Sequence, residues 1–213
     1  MLTVCWAAKG GSGTTVVACA LALLTAAAQE SSLLVDLAGD APAALGLAEP
    51  AGPGVHEWLQ SAAPPQALES LGVTAGERLL LIPRGHAAGA ADATRWGQLG
   101  EYFAEGATNV IVDVGSTPPP PQLAAAAQRR LLVIRPCYLA LRRAAASAIT
   151  PTGVIVVHEP GRALRAQDVA YAVQAPVVAE LNTDPAVARA VDAGLLASRL
   201  PRALAVALRE LVP

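Results

Sequence analysis

Lysine is almost absent from this chain: 14 of its 15 basic residues are arginine, and the exception is Lys9. Charge of either sign is scarce, at 15% Asp, Glu, Lys and Arg with a net charge of −2, so no basic surface advertises a nucleic acid or an anionic membrane. Bulk charge does not choose the partner. Cysteine is limited to Cys5, Cys19 and Cys137, an odd number at wide spacing. That argues against a disulfide or zinc framework and fits reduced, small apolar residues in a reducing compartment. His56, His86 and His158 lack ligand spacing, and no Ser-His-Asp or Cys-His arrangement can be traced. Long apolar runs are missing too. The 13-residue stretch from Val16 to Ala28 behind Lys9 imitates a secretory signal, but residues 2 to 8 are already apolar. A glycine-rich break between two apolar runs reads as strand, loop, helix, so a cytoplasmic protein with no membrane partner is expected.

What is present is alternation. The 213 residues are 54% hydrophobic, enough for a substantial core in one domain spanning 1–213. Short apolar runs predict strands at 2–8, 32–37, 78–83, 109–115, 130–136, 153–159 and 175–181. Ala/Leu-rich stretches between them predict helices at 14–28, 92–105, 119–128, 138–148, 164–173, 184–192 and 201–211. Continuous apolar strands separated by helices imply an α/β fold of three layers, a mainly parallel sheet of about seven strands covered on both faces. A site then lies beyond the carboxyl ends of the strands. Two segments interrupt the pattern and read as surface connections: 49–66, with a short helix near His56 to Gln60, and the proline run 116–122. The second follows a strand ending in Asp113, at the mouth where a site would open. The C-terminal stripe of Leu200, Leu204, Leu208 and Leu211 predicts a core-covering helix, and the Arg129–Arg130 and Arg142–Arg143 pairs read as solvated helix ends.

The first strand runs into Lys9-Gly10-Gly11-Ser12-Gly13-Thr14-Thr15 and an apolar helix. Glycines let successive N–H groups point inward, and the helix adds its positive end, a geometry suited to phosphate. The ordinary phosphate-loop pattern is unmet, because Ala8 stands at its first glycine and Thr14 at its lysine. A slim ammonium at Lys9 suits a tight glycine-lined turn better than the broad fork of an arginine.

This loop resembles the deviant Walker A loop of the ParA/MinD family, K-G-G-x-G-K-[ST], with Lys9 at the signature lysine. The resemblance extends to "LLVDLAGDAPAALGL" (33–47), similar to a switch I strand and loop, and to "NVIVDVGS" (109–116), similar to a Walker B strand. Leu45-Gly46 followed by Pro53-Gly54 and Leu59 has the flavour of the CpaE/TadZ pilus-assembly subgroup. The resemblance implies a P-loop NTPase fold of the SIMIBI type and ATP with Mg2+ as the ligand. It implies nucleotide binding by Lys9, Gly10, Gly11, Ser12, Gly13, Thr14 and Thr15. For the metal it implies Thr15 and Asp113; Asp36, ending a strand at the same edge, reads either as a contributor to the metal's outer shell or as a helix or turn cap. Lys9 would reach the partner subunit's nucleotide in a homodimer that positions a pilus, secretion, division or DNA-partition machinery. The departures bear on turnover. Thr14 lacks the lysine, Ala38 replaces the acid that polarises water, leaving Asp40 two residues away, and His158-Glu159 replaces an Asn-Arg pair that reads the base. With two positioned groups missing, hydrolysis is expected to be very slow or lost, while weak binding survives. A pseudo-ATPase adaptor that pairs without nucleotide is the alternative.

Overall fold

The computed structural model describes residues 1–28 and 30–212. Its elements run β1 (Leu2–Trp6), α1 (Thr14–Ala27), β2 (Ser32–Asp36), α2 (Ala41–Leu45), α3 (Val55–Leu59), β3 (Val73–Gly76), β4 (Leu79–Ile82), α4 (Ala93–Glu105) and β5 (Asn109–Asp113). They continue with α5 (Pro121–Ala126), β6 (Arg129–Ile134), α6 (Tyr138–Ala145), β7 (Gly153–His158), α7 (Ala166–Val173), β8 (Val177–Asn182), α8 (Pro185–Asp192) and α9 (Arg202–Leu208). Short 3-10 turns occupy Pro65–Leu71 and Arg209–Leu211.

The strands form one sheet in the order β3-β4-β2-β5-β1-β6-β7-β8. All neighbours pair in parallel except β3, which runs antiparallel to β4. Period-2 alternation splits each inner strand between two cores. Leu2, Val4, Trp6, Val110, Val112, Leu132, Ile134, Val154 and Val156 face one cluster, capped by α3 to α7. Cys5, Ile111, Leu131, Val133, Ile155 and Val157 face the other, against α1, α2 and α9. Both faces are therefore dry, which is why the strands read as unbroken apolar runs.

The sheet has eight strands where about seven were expected, the addition being β3. The segment Val73–Gly76 is short, ends in glycine and sits at the sheet edge with an irregular register, so it carries almost no alternation to read. The 49–66 segment also needs correction as a mere surface connection: Val55, Trp58 and Leu59 of α3 are buried in the main core. The C-terminal stripe behaves as anticipated, with Leu204, Leu208 and Leu211 buried, each at a gain of about 1.5–3 kcal/mol. Arg129 and Arg130 are not simply solvated. The first donates to the Leu211 carbonyl and the second to the Thr150 and Ala127 carbonyls, tying the start of β6 to the C-terminal segment and to the neighbouring turns. No helix among the described residues is long and apolar enough to cross a membrane.

Candidate functional site

Three strands end together at the same edge. In register, Cys5 of β1 lies opposite Asp113 of β5, and Asp113 lies opposite Asp36 of β2. The chain leaving β1 is tied to the chain leaving β5 by Val114 N–H donating to the Cys5 carbonyl (2.9 Å) and Ala7 N–H donating to the Gly115 carbonyl (2.8 Å). The 9–15 loop therefore springs from a fixed base.

The loop curls because Gly11 (φ 76°) and Gly13 (φ 87°) occupy the left-handed region, which costs a residue with a Cβ about 1 kcal/mol or more. Space is not the constraint, since a Cβ at either position would meet nothing within 4 Å. The Ser12 hydroxyl closes the turn on the Lys9 carbonyl (2.8 Å), and α1 starts directly after Gly13. Lys9 is exposed; Ser12 and Thr14 are buried. The loop faces a cleft of about 810 Å³ whose far walls include Ala38, Asp40, Arg84, Gly115 and Ser116. All seven loop residues line it. Asp40 also reaches it, exposed and making no capping bond at the start of α2. Ala38 lies against Gly115, 3.1 Å from a Cβ placed there, so the cleft wall at that point is a methyl group.

The two strand-end acids behave differently. Both Asp36 and Asp113 are wholly buried. Asp36 accepts the N–H groups of Ala38 (2.9 Å), Gly39 (2.7 Å) and Ala41 (3.0 Å), so its carboxylate organises the loop that carries Ala38 and Asp40. Burial still pushes its pKa up against those three donors. Asp113 accepts from Gly115 N–H (3.0 Å) at Oδ1, and its Oδ2 makes no hydrogen bond of normal geometry with any described residue. Burial, opposed by the nearby Thr15 hydroxyl and reinforced by the Asp36 charge, raises Asp113 to about 6. Two buried acids side by side, one with an orphaned oxygen beside a hydroxyl, suit a hard cation that takes oxygen ligands and keeps its own waters. Among the described residues no group of three or more His, Cys, Asp or Glu is placed to hold a metal ion.

Beyond Ser12 and Gly13 the loop borders a second, more apolar hollow of about 680 Å³, lined also by Arg135, Asn182 and Asp184. His158 and Glu159, at the end of β7, both have polar partners. Nε2 of His158 lies 2.7 Å from Glu180, and Glu159 holds Arg135 (2.9 Å) and Arg162 (2.8 Å). Arg84, Arg135 and Asn182 escape sequence reading because nothing in their local pattern marks them. Their only signal is position, at or just past the carboxyl end of a strand.

This mainly parallel sheet, with a glycine loop between its first strand and first helix and acids ending β5 and β2, has the fold of MinD and ParA ATPases. The solved structures agree. MinD of the MinC:MinD cell division complex from Aquifex aeolicus matches at 20% identity and TM-score 0.79, over 99% of this chain and 94% of that one. A ParA family ATPase from Chlorobium tepidum matches at 18% identity and TM-score 0.76, over 98% and 96%. The septum site-determining protein MinD of Pyrococcus horikoshii, complexed with Mg-ADP, matches at 17% identity and TM-score 0.72, over 92% and 87%. No protein-family model and no curated protein matches the sequence.

Proposed function

We propose that this chain is a dimeric positioning protein of the ParA/MinD type, which holds Mg-ATP in the 9–15 loop and turns it over very slowly or not at all. The reading rests on one juxtaposition: an open glycine cradle at the positive end of α1, lining a cleft of about 810 Å³, with the buried carboxylate of Asp113, one oxygen of which has no hydrogen-bond partner, next to the Thr15 hydroxyl that ends the cradle. In this reading the backbone N–H groups from Gly10 to Thr15 hold the phosphates. Thr15 would ligate the magnesium ion, and Asp113 and Asp36 would order its waters. When bound, such an ion neutralises charge between the terminal phosphates. Lys9, exposed at the loop's rim, reaches the second copy's nucleotide. Thr14 and Ala38 supply neither the cation nor the acid that phosphoryl transfer needs, so binding outlasts turnover. The paired surface then serves a partner machinery of the pilus or secretion, cell division or DNA-partition kind. The Aquifex MinD bound to MinC and the Pyrococcus MinD bound to Mg-ADP support the class of partner and of ligand by analogy.

A second reading, an adaptor that pairs without nucleotide, is favoured by the engagement of His158 with Glu180 and of Glu159 with Arg135 and Arg162, at the place a base-reading pair would occupy. Solution mass measured against Mg-ATP separates the two. The switch predicts a doubling of mass with nucleotide, abolished in Lys9→Ala. A dimer indifferent to both nucleotide and Lys9 leaves the adaptor, and a monomer at millimolar Mg-ATP refutes the switch.

A further inference from the structure

The cleft contains a second cation that the loop does not supply. Arg84 follows β4, separated from β1 by β2 and β5, and so enters the cleft from the wall opposite the 9–15 loop. Its backbone is held from several directions. Val55 N–H donates to the Pro83 carbonyl (2.9 Å) and His56 N–H to the Arg84 carbonyl (3.0 Å). The Glu57 carboxylate accepts from Gly54 (2.7 Å), His86 (2.7 Å) and Ala87 (2.6 Å), fastening both sides of the same turn. The side chain is accommodated as well: its Cδ lies 3.3 Å from where a Cβ of residue 39 would stand, and residue 39 is glycine. Asp36 fixes that glycine's N–H, so the stem of Arg84 crosses a loop that is itself anchored.

The far end of the side chain is unspent. Arg84 is exposed and forms no ion pair with any described residue, although Asp40 lines the same cleft. Its charge is felt by His56, which it helps to keep neutral after burial has already lowered that pKa. A solvated surface arginine needs neither a turn clamped by a carboxylate nor a glycine under its stem. A guanidinium delivered on a fixed backbone to a cleft whose loop has lost an ammonium has a chemical use, because its fork matches two phosphate oxygens at once.

We propose that Arg84 is a phosphate-binding residue of this cleft, taking the terminal phosphate oxygens of a nucleoside triphosphate in place of the cation missing at Thr14. The assignment rests on the nucleotide reading above and adds to it the group that replaces the lysine.

Calorimetric titration with Mg-ATP and Mg-ADP tests it on the wild type, Arg84→Ala, Arg84→Gln and the double variant Arg84→Ala with Thr14→Lys. Loss of a charge-assisted contact lowers ATP affinity by ~10- to 150-fold. ADP is expected to suffer less, since the terminal phosphate is the one addressed, and Thr14→Lys is expected to recover ATP binding in the double variant. Thermal melting checks the fold, and Arg84→Gln, which keeps the stem over Gly39, decides the matter if the alanine variant is misfolded. Equal ATP affinity in wild type and both single variants overturns the role of Arg84 alone. A wild type that binds neither nucleotide removes the nucleotide reading and this assignment with it.

Discussion

Asp113 carries a cost that can be measured. Its pKa rises from 3.8 to about 6 because burial disfavours the carboxylate and the facing Asp36 adds a like charge. That rise corresponds to about 3 kcal/mol of folding free energy forgone at high pH. The sign follows from the direction of the shift. A carboxyl whose folded pKa is raised binds its proton longer in the native state than in the unfolded one. The penalty is absent below about pH 4, grows between about pH 4 and pH 6, and is complete above that. Asp113→Asn retains an oxygen for Gly115 N–H and removes the charge, while its amide introduces a donor that costs a pH-independent amount if it finds no acceptor. The difference in stability between variant and wild type, taken at pH 8 and again at pH 4, cancels that constant. It should change by about 2–3 kcal/mol in favour of the variant at pH 8. For a chain of this size that is roughly 4–12 °C in melting temperature. Because Asp36 and Asp113 face each other in register, the midpoint belongs to the pair. Denaturant titration at the two pH values gives the free energies directly. A difference that does not move with pH would mean that Asp113 is not held charged against its surroundings, and the argument for a cation-seeking oxygen would go with it. Added Mg-ATP supplies the complementary arm: it should raise the melting temperature of the wild type and not that of Asp113→Asn.

Two further substitutions probe the parts that frame the cleft. Gly46 has φ 78°, and a Cβ there would lie 1.8 Å from the Gly194 carbonyl, so Gly46→Ala must push α2 and α8 apart. A loss of about 2–4 kcal/mol in urea unfolding is expected, and an effect below about 0.5 kcal/mol would show that this close approach is relaxed at no cost. Burial alone would raise Glu57, yet the N–H groups of Gly54, His86 and Ala87 outweigh it and hold the pKa down to about 2. Its contribution is therefore present above the unfolded value of 4.5 and lost as pH falls toward 2. Glu57→Gln should cost about 1 kcal/mol at pH 7 after solvent screening, with the gap to wild type closing in acid, as followed by circular dichroism melts. A gap independent of pH would refute the charge's part in holding that turn.

Most of the fold was legible because the central strands are buried on both faces and most helices between them are apolar on the side that meets the sheet, so the two kinds of segment alternate visibly along the chain. The loop from Lys9 to Thr15 was equally legible, since glycine adopts without steric cost the left-handed turns that Gly11 and Gly13 take. Local patterns could not reveal the edge strand Val73–Gly76, which is too short and too exposed to alternate, or the burial of Val55 and Trp58 inside a segment punctuated by proline and glycine. They could not bring Arg84 to the cleft, nor distinguish Asp36, whose oxygens are occupied by backbone donors, from Asp113, which keeps one oxygen free. Conformational preference is a property of a few adjacent residues and is encoded where they stand. The partners of a buried charge are set by strand order and register, which join residues tens of positions apart and exist only once the sheet has formed.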